Sequence, residues 1–252
     1  MISLGVLGVV CPPAAGSASD APVQIHAPKI PVGPSPAVSG AARVGWRARN
    51  WSGYAIAGSG FTSATGHWNV PQVTTSSGAR FSSDWVGIDG FNNSNLIQAG
   101  TEEDVIGGQP FYEAWWEILP SPETPISSIS VQPGDAMSVS VSNGGSTWTI
   151  TVTDTTSGQS FTTHQAYSGP GSSAEWIHEA PTIGTHVATL AKDSPVTFDL
   201  CTLNGASPNL AVTESGVMVK SGRVISTPSA PDSDGDGFTV AYGRVAPSPP
   251  SS

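Results

Sequence analysis

Met137-Ser138-Val139-Ser140-Val141-Ser142-Asn143-Gly144-Gly145-Ser146-Thr147-Trp148-Thr149-Ile150-Thr151-Val152-Thr153 reads as a β-hairpin. Apolar residues alternate with Ser or Thr on both arms, so each arm presents one greasy and one hydroxylated face. Asn143-Gly144-Gly145 supplies the turn. Thr156-Ser157-Gly158 makes the next turn. Working outward, Pro195 to Leu203, Gly216 to Ile225 and Phe238 to Tyr242 read as further strands. From Asn50 to Gly243 no amphipathic helix stands out. About a dozen short strands punctuated by turn signals predict an all-β, antiparallel β-sandwich.

Only 11% of the 252 residues are charged, and the many Gly, Ser, Thr and Pro suit an extracellular β protein better than a helical one. From Trp51 to Gly243 the bases are Arg80, Lys192, Lys220 and Arg223, against eighteen of the chain's 19 acids. So acidic a body repels phosphate backbones, which argues against a nucleic-acid partner. Crowded carboxylates share protons, which is easier at low pH.

Ile2 to Val10 is an apolar run followed by small residues at Ala14 to Ala18, the pattern of a secretory signal, although no Lys or Arg precedes it. The run is too short to span a membrane. Residues 1–18 are therefore expected to be a signal peptide of a secreted, extracellular protein. Residues 19–49, rich in Pro, Ala and Gly and carrying Lys29, Arg43, Arg47 and Arg49, read as a basic propeptide or linker. The folded domain is expected over 50–243 and a disordered tail over 244–252. Cys201 alone survives signal removal, so no internal disulfide is expected.

Three segments break the Ser/Thr alternation. Asp84-Trp85-Val86-Gly87-Ile88-Asp89-Gly90 leads to Asn95-Leu96-Ile97-Gln98-Ala99-Gly100. Period 2 puts Trp85, Gly87 and Asp89 on one face. In Phe111-Tyr112-Glu113-Ala114-Trp115-Trp116-Glu117, the residues Glu113, Trp115 and Glu117 share a face. In Ala174-Glu175-Trp176-Ile177-His178-Glu179, so do Glu175, Ile177 and Glu179. A carboxylate facing a core is costly unless paired or protonated. One sheet face that gathers several points to a groove for a polar, extended ligand.

These segments, in this order, resemble the Gln-bearing, acidic-aromatic and Glu-bearing strands of the eqolisins, the glutamic peptidases. Asn50-Trp51-Ser52-Gly53-Tyr54 is similar to the start of the mature enzymes. The resemblance runs from about Asn50 to Gly243. It implies two curved antiparallel sheets with the active site on the concave face, and an acid endopeptidase using an activated water. By motif position it implies Gln98 and Glu175 as the catalytic pair. It also implies Trp51, Trp85, Asp89, Glu113, Trp115, Glu117 and Glu179 as the substrate-binding lining. The fungal members have cysteines near the Gln motif that this chain lacks, which suggests a disulfide-free, bacterial-like member. His178 and Ala180 depart from the usual run and leave the role of Glu179 open. The implied partners are polypeptide substrates and the chain's own basic propeptide, and the implied enzyme is a monomer without cofactor.

In such chemistry Glu175 would take a proton from water and pass it to the leaving nitrogen, while Gln98 donates to the oxyanion. The five His show no HExxH-like spacing, so no metal is expected. A Ser–His–Asp triad stays open, although no Gly-x-Ser-x-Gly elbow is present. Two other classes also remain: a β-sandwich glycosidase, and a non-catalytic carbohydrate- or peptide-binding module. Glu175 and Glu179 would lie about 13 Å apart at strand rise. That exceeds the roughly 5 to 9 Å of paired glycosidase acids, although Glu117 could partner either. Asp232-Ser233-Asp234-Gly235-Asp236-Gly237 resembles the start of a calcium loop but lacks its downstream Glu, so a solvated turn is the expectation.

Overall fold

Strands dominate the described residues, 21–33 and 44–252 of the computed structural model. The expected signal segment and residues 34–43 of the leader, Arg43 included, lie outside them. In chain order the strands are β1 (Gln24–Ile25), β2 (Trp46–Ala48), β3 (Trp51–Ala57), β4 (Ser63–Asn69), β5 (Ser83–Ile88) and β6 (Ile97–Ile106). Then come β7 (Gln109–Ile118), β8 (Thr124–Pro125), β9 (Ala136–Asn143), β10 (Trp148–Asp154), β11 (Gln159–Gln165) and β12 (Ser173–Glu179). The last are β13 (Thr182–Ile183), β14 (His186–Val187), β15 (Val196–Leu203), β16 (Ser215–Lys220), β17 (Arg223–Pro228) and β18 (Phe238–Tyr242).

β9 and β10 form the hairpin, with Val141 opposite Ile150 and Val139 opposite Val152. Those apolar residues are buried while the Ser and Thr between them are half-covered. The run Gly216 to Ile225, expected as one strand, is instead the hairpin β16–β17. Ser221 (φ 50°) and Gly222 (φ 73°) both take left-handed backbone there, which the Ser-Gly pair favours over strand continuation.

The main sheet runs β11-β10-β9-β4-β15-β18-β17-β16-β3-β12-β5-β6-β7-β8, with β2 beside β16. Every pairing on that path is antiparallel; β2 joins β16 in parallel. The sheet doubles over, so that β4, β9 and β10 pack on β5, β6 and β12. The two layers of the β-sandwich are thus halves of one sheet. Val139, Val141, Ile150, Val152 and Phe198 from one half meet Tyr54, Val86, Ala99 and Trp176 from the other in the core.

β5 and β12 are buried along their whole length. Their second face carries a separate cluster of Trp51, Trp85, Leu96, Trp115 and Ile177. Leader residues also take part in the fold. β1 pairs with β13, and β13 with β14, in a small second sheet. Residues 244–252, expected as a tail, bring Ser252 Oγ to within 2.6 Å of Ser233 Oγ. Ile150 is fully buried at the centre of the core. Ile150→Ala is expected to cost about 2–5 kcal/mol, read as a lower denaturant midpoint at unchanged slope.

Candidate active site

Register, rather than any single residue, builds the groove. Residues directly opposite one another on neighbouring strands point to the same face. Glu175 of β12 lies opposite Gly87 of β5, Gly87 opposite Gln98 of β6, and Gln98 opposite Glu117 of β7. The next row is Ile177, Trp85, Gly100 and Trp115. The third is Trp51, Glu179, Ser83, Glu102 and Glu113. Eight sequence-predicted residues therefore share one surface: Gln98, Glu175, Trp51, Trp85, Glu113, Trp115, Glu117 and Glu179.

Gly87 separates Glu175 from Gln98 and leaves clearance between them. A Cβ there would come within 3.0 Å of the Trp85 ring and 3.1 Å of Gln98 Cβ. Both Glu175 oxygens are buried with no hydrogen-bond partner among protein atoms. Burial pushes its carboxyl well above the usual carboxylate range, Asp89 adds to the shift and Lys29 opposes it. Gln98 Nε2 donates to Glu117 Oε2 at 2.5 Å and to the His26 carbonyl at 2.7 Å. Two acceptors at one end of the side chain fix the orientation of its amide.

Asp89 takes a different path. It follows the end of β5 with φ 74°, which turns its side chain out of the row. Its carboxylate accepts from Tyr167 Oη, Asn93 Nδ2, the Gly171 and Ser172 N–H groups and Ser172 Oγ. In this position it clamps the loop leading into β12. Glu179 accepts from Trp85 Nε1 at 2.8 Å and Asn50 Nδ2 at 3.2 Å. His178 points to the opposite face, against Asp84 at 2.9 Å.

The leader lies in this groove. Gln24 and His26 are fully buried. Gln24 Nε2 donates to Glu102 and Asp104, and its backbone N–H to Glu123. The His26 backbone N–H donates to Glu117 Oε2 at 3.1 Å. Asn50 donates to the carbonyls of Ala27 and Pro28 and accepts from the Ile30 N–H. The Lys29 ammonium sits 3.0 Å from the Phe91 ring centroid. Arg47 and Arg49 pair with no acid among the described residues, so the leader engages the groove through Gln24, His26 and Lys29 rather than through arginines.

Glu102, Asp104, Glu123 and Asn50 were not among the sequence-predicted residues. Glu102 and Asp104 were legible, because period 2 from Gln98 places them on its face. Glu123, in the loop before β8, gives no such signal. Burial pushes Glu117 up to about 8 and Glu113 up to about 7, with Glu123 adding to both. Away from the groove, Asp199, Asp232 and Asp236 each bring one oxygen within 4.8 Å of the others. There the Gly235 and Asp236 N–H groups donate to Asp232 Oδ1, as in an Asp-anchored turn.

Comparison with known proteins agrees with this geometry. Residues 49–242 match the Peptidase A4 family. The chain is 29% identical to aspergillopepsin-2 of Aspergillus niger over 222 residues, which is 77% of each protein. It superposes on a crystal structure of aspergilloglutamic peptidase from Aspergillus niger with a TM-score of 0.55, at 30% identity, over 65% of this chain and 99% of that one. It superposes on scytalido-glutamic peptidase, crystallised with a transition state analog inhibitor, with a TM-score of 0.66, at 23% identity, over 77% of this chain and 98% of that one. The family match spans β3 to β18 and the acidic face they form, and on that ground the chain belongs to the Peptidase A4 family, the glutamic peptidases or eqolisins, hydrolases of peptide bonds.

Proposed function

We propose that the protein is a secreted acid endopeptidase in which Glu175 activates water and Gln98 stabilises the oxyanion, held latent by its own leader. The observation that carries this reading is the row Glu175–Gly87–Gln98 with a peptide carbonyl, that of His26, hydrogen-bonded to the Gln98 amide. Ionised Glu175 takes a proton from water as the water oxygen attacks the carbonyl carbon. The Gln98 N–H donates to the resulting oxyanion, and an amide keeps that ability at low pH. Glu175 then returns the proton to the departing nitrogen. Secretion is supported by the Ile2 to Val10 run.

Latency follows from the leader filling the groove: the His26 carbonyl takes the Gln98 amide, and the burial of Glu175 favours its neutral form and removes the base. The leader's hold depends on pH through every titrating group that contacts it, His26 and Glu123 among them. Burial would lower the His26 imidazole, but Glu102, Glu123 and Glu179 outweigh it and hold it well above its ordinary 6.5. Its contribution is complete below 6.5 and is lost as pH rises through the raised value. Burial would raise Glu123, but Glu102 and His26 outweigh it and hold it below its ordinary 4.5. Its contribution is complete above 4.5 and is lost as pH falls through the depressed value. Glu102, Asp104, Glu117 and Glu179, which burial raises, pull the other way and favour the bound leader in acid, so loss of the Glu123 contribution is the one change that loosens it in stronger acid.

Full-length protein incubated with a denatured protein should yield fragments at acid pH and none near neutrality, and should leave polysaccharides intact. Fragments formed best at mildly alkaline pH, or polysaccharide cleavage without proteolysis, would overturn the reading.

A further inference from the structure

His26 is held as a substrate residue would be. Its carbonyl takes the Gln98 amide at 2.7 Å, which makes it the carbonyl presented for attack. Its ring is fully buried and stacks on Trp115 at 3.7 Å between centroids and 5° between planes. Nε2 lies 2.9 Å from Glu123 Oε2 and 3.4 Å from Glu102 Oε1, and Nδ1 lies 3.6 Å from Glu179 Oε2. We propose that Glu102, Glu123 and Glu179 over the Trp115 indole form a subsite for an imidazolium side chain, so that the enzyme cleaves after histidine and His26–Ala27 is the bond it cuts in its own leader. This rests on the peptidase reading above.

The chemistry of the cradle selects histidine. Carboxylates face both ring nitrogens, and only the doubly protonated ring offers an N–H to each side. A neutral imidazole would turn a lone pair toward one of them. An aliphatic side chain would leave Glu123 Oε2, which His26 Nε2 approaches at 2.9 Å, without that donor and would take away the positive charge facing Glu102 and Glu179, a penalty for a site built to be hydrogen-bonded. Lysine would bring charge without the flat ring that covers Trp115. The cradle draws on three separate elements: Glu102 on β6, Glu123 in the loop before β8, and Glu179 on β12. Glu117 of β7 holds the backbone N–H of the same residue, and Asp104 of β6 takes the Gln24 amide two residues before it. Further along the segment, burial lowers the Lys29 ammonium to about 8 while the charge of Glu175 acts to raise it.

The cut adds one water across the peptide bond. The water oxygen joins the His26 carbonyl carbon, the bond from that carbon to Ala27 N breaks, and Ala27 N takes the proton from Glu175. The fragment ending at His26 keeps the new carboxyl group. Ala27 becomes the new amino terminus.

Two measurements on the full-length protein at acid pH test this. The first is the N-terminal sequence after incubation, which should begin at Ala27. The second compares kcat/KM for a quenched peptide with the sequence of residues 23–30 and the same peptide carrying His26→Leu. The histidine peptide should be cut between His and Ala at least about tenfold faster. The gap should narrow in a Glu123→Gln enzyme, which loses an ion pair but keeps the side chain's shape. Cleavage of denatured protein with equal rates on the two peptides, or with cuts elsewhere in them, would overturn the histidine subsite and leave the peptidase reading standing. Absence of any cleavage, of denatured protein included, would remove both.

Discussion

Glu175→Gln should lower kcat on a denatured protein by about 10²–10⁴, the range that a positioned acid–base group supplies. Gln98→Ala should lower it by about 10²–10³, as loss of one oxyanion donor does elsewhere. The two losses should not add, because in the proposed mechanism base and oxyanion donor act on one tetrahedral species. The latent form should keep its stability in the Glu175→Gln variant. Glu175 is buried there and its neutral form is favoured, so the glutamine amide replaces a carboxylic acid of the same shape. Circular dichroism and melting of the variant control for folding. A correctly folded Glu175→Gln enzyme with near-parental kcat would exclude Glu175 as the base.

Stability itself should fall steeply as pH rises. Glu103 is buried with both oxygens unpartnered, and burial followed by repulsion from Asp84 pushes it well above the usual range. Burial pushes Asp193 up to about 6, against the pull of His178. Glu117 stands at about 8. Each is raised above its unfolded value, so each contributes fully below about pH 4 and loses its contribution as pH climbs through the folded pKa. His178 adds to the trend. Burial would lower it, but Asp193 and Asp84 raise it to about 9, so its contribution also disappears at high pH. The melting temperature should therefore drop by on the order of 10 °C or more between pH 4 and pH 8. Glu103→Gln and Asp193→Asn should flatten that slope. A melting temperature constant or rising across the same interval would contradict this account of the buried acids.

How much of this was legible depends on which face of a strand a residue used. Ser and Thr alternating with Val and Ile announced β9 and β10, because half-buried strands write their two faces into sequence. β5, β6 and β12 are buried on both faces, so their acids read as anomalies that only the family resemblance organised. Thr101-Glu102-Glu103-Asp104 looks like a solvated run, yet all four residues are fully buried. Two of its acids face the groove and one faces Asp84, a division that only register reveals. Asp89 belonged to the Trp85 face by period, but positive φ beyond the strand end turned it away. The leader was readable as basic and unstructured. That Gln24 and His26 rather than the arginines would fill the groove was not, because the contact depends on Glu123 and Asn50, distant in sequence.

Strand order also dictates when the protein can first act. β12 slots between β3 and β5, with Glu175 opposite Ala55 on one side and Gly87 on the other. Both partners are synthesised long before it, and pairings of such sequence separation form late because wide loops must close first. A chain emerging from the ribosome therefore carries Gln98 well before it carries Glu175. Until residue 179 has emerged and the gap between β3 and β5 is filled, the proposed pair of Gln98 and Glu175 cannot be assembled. In the proposed mechanism, threading the last wall of the groove therefore times the onset of proteolysis.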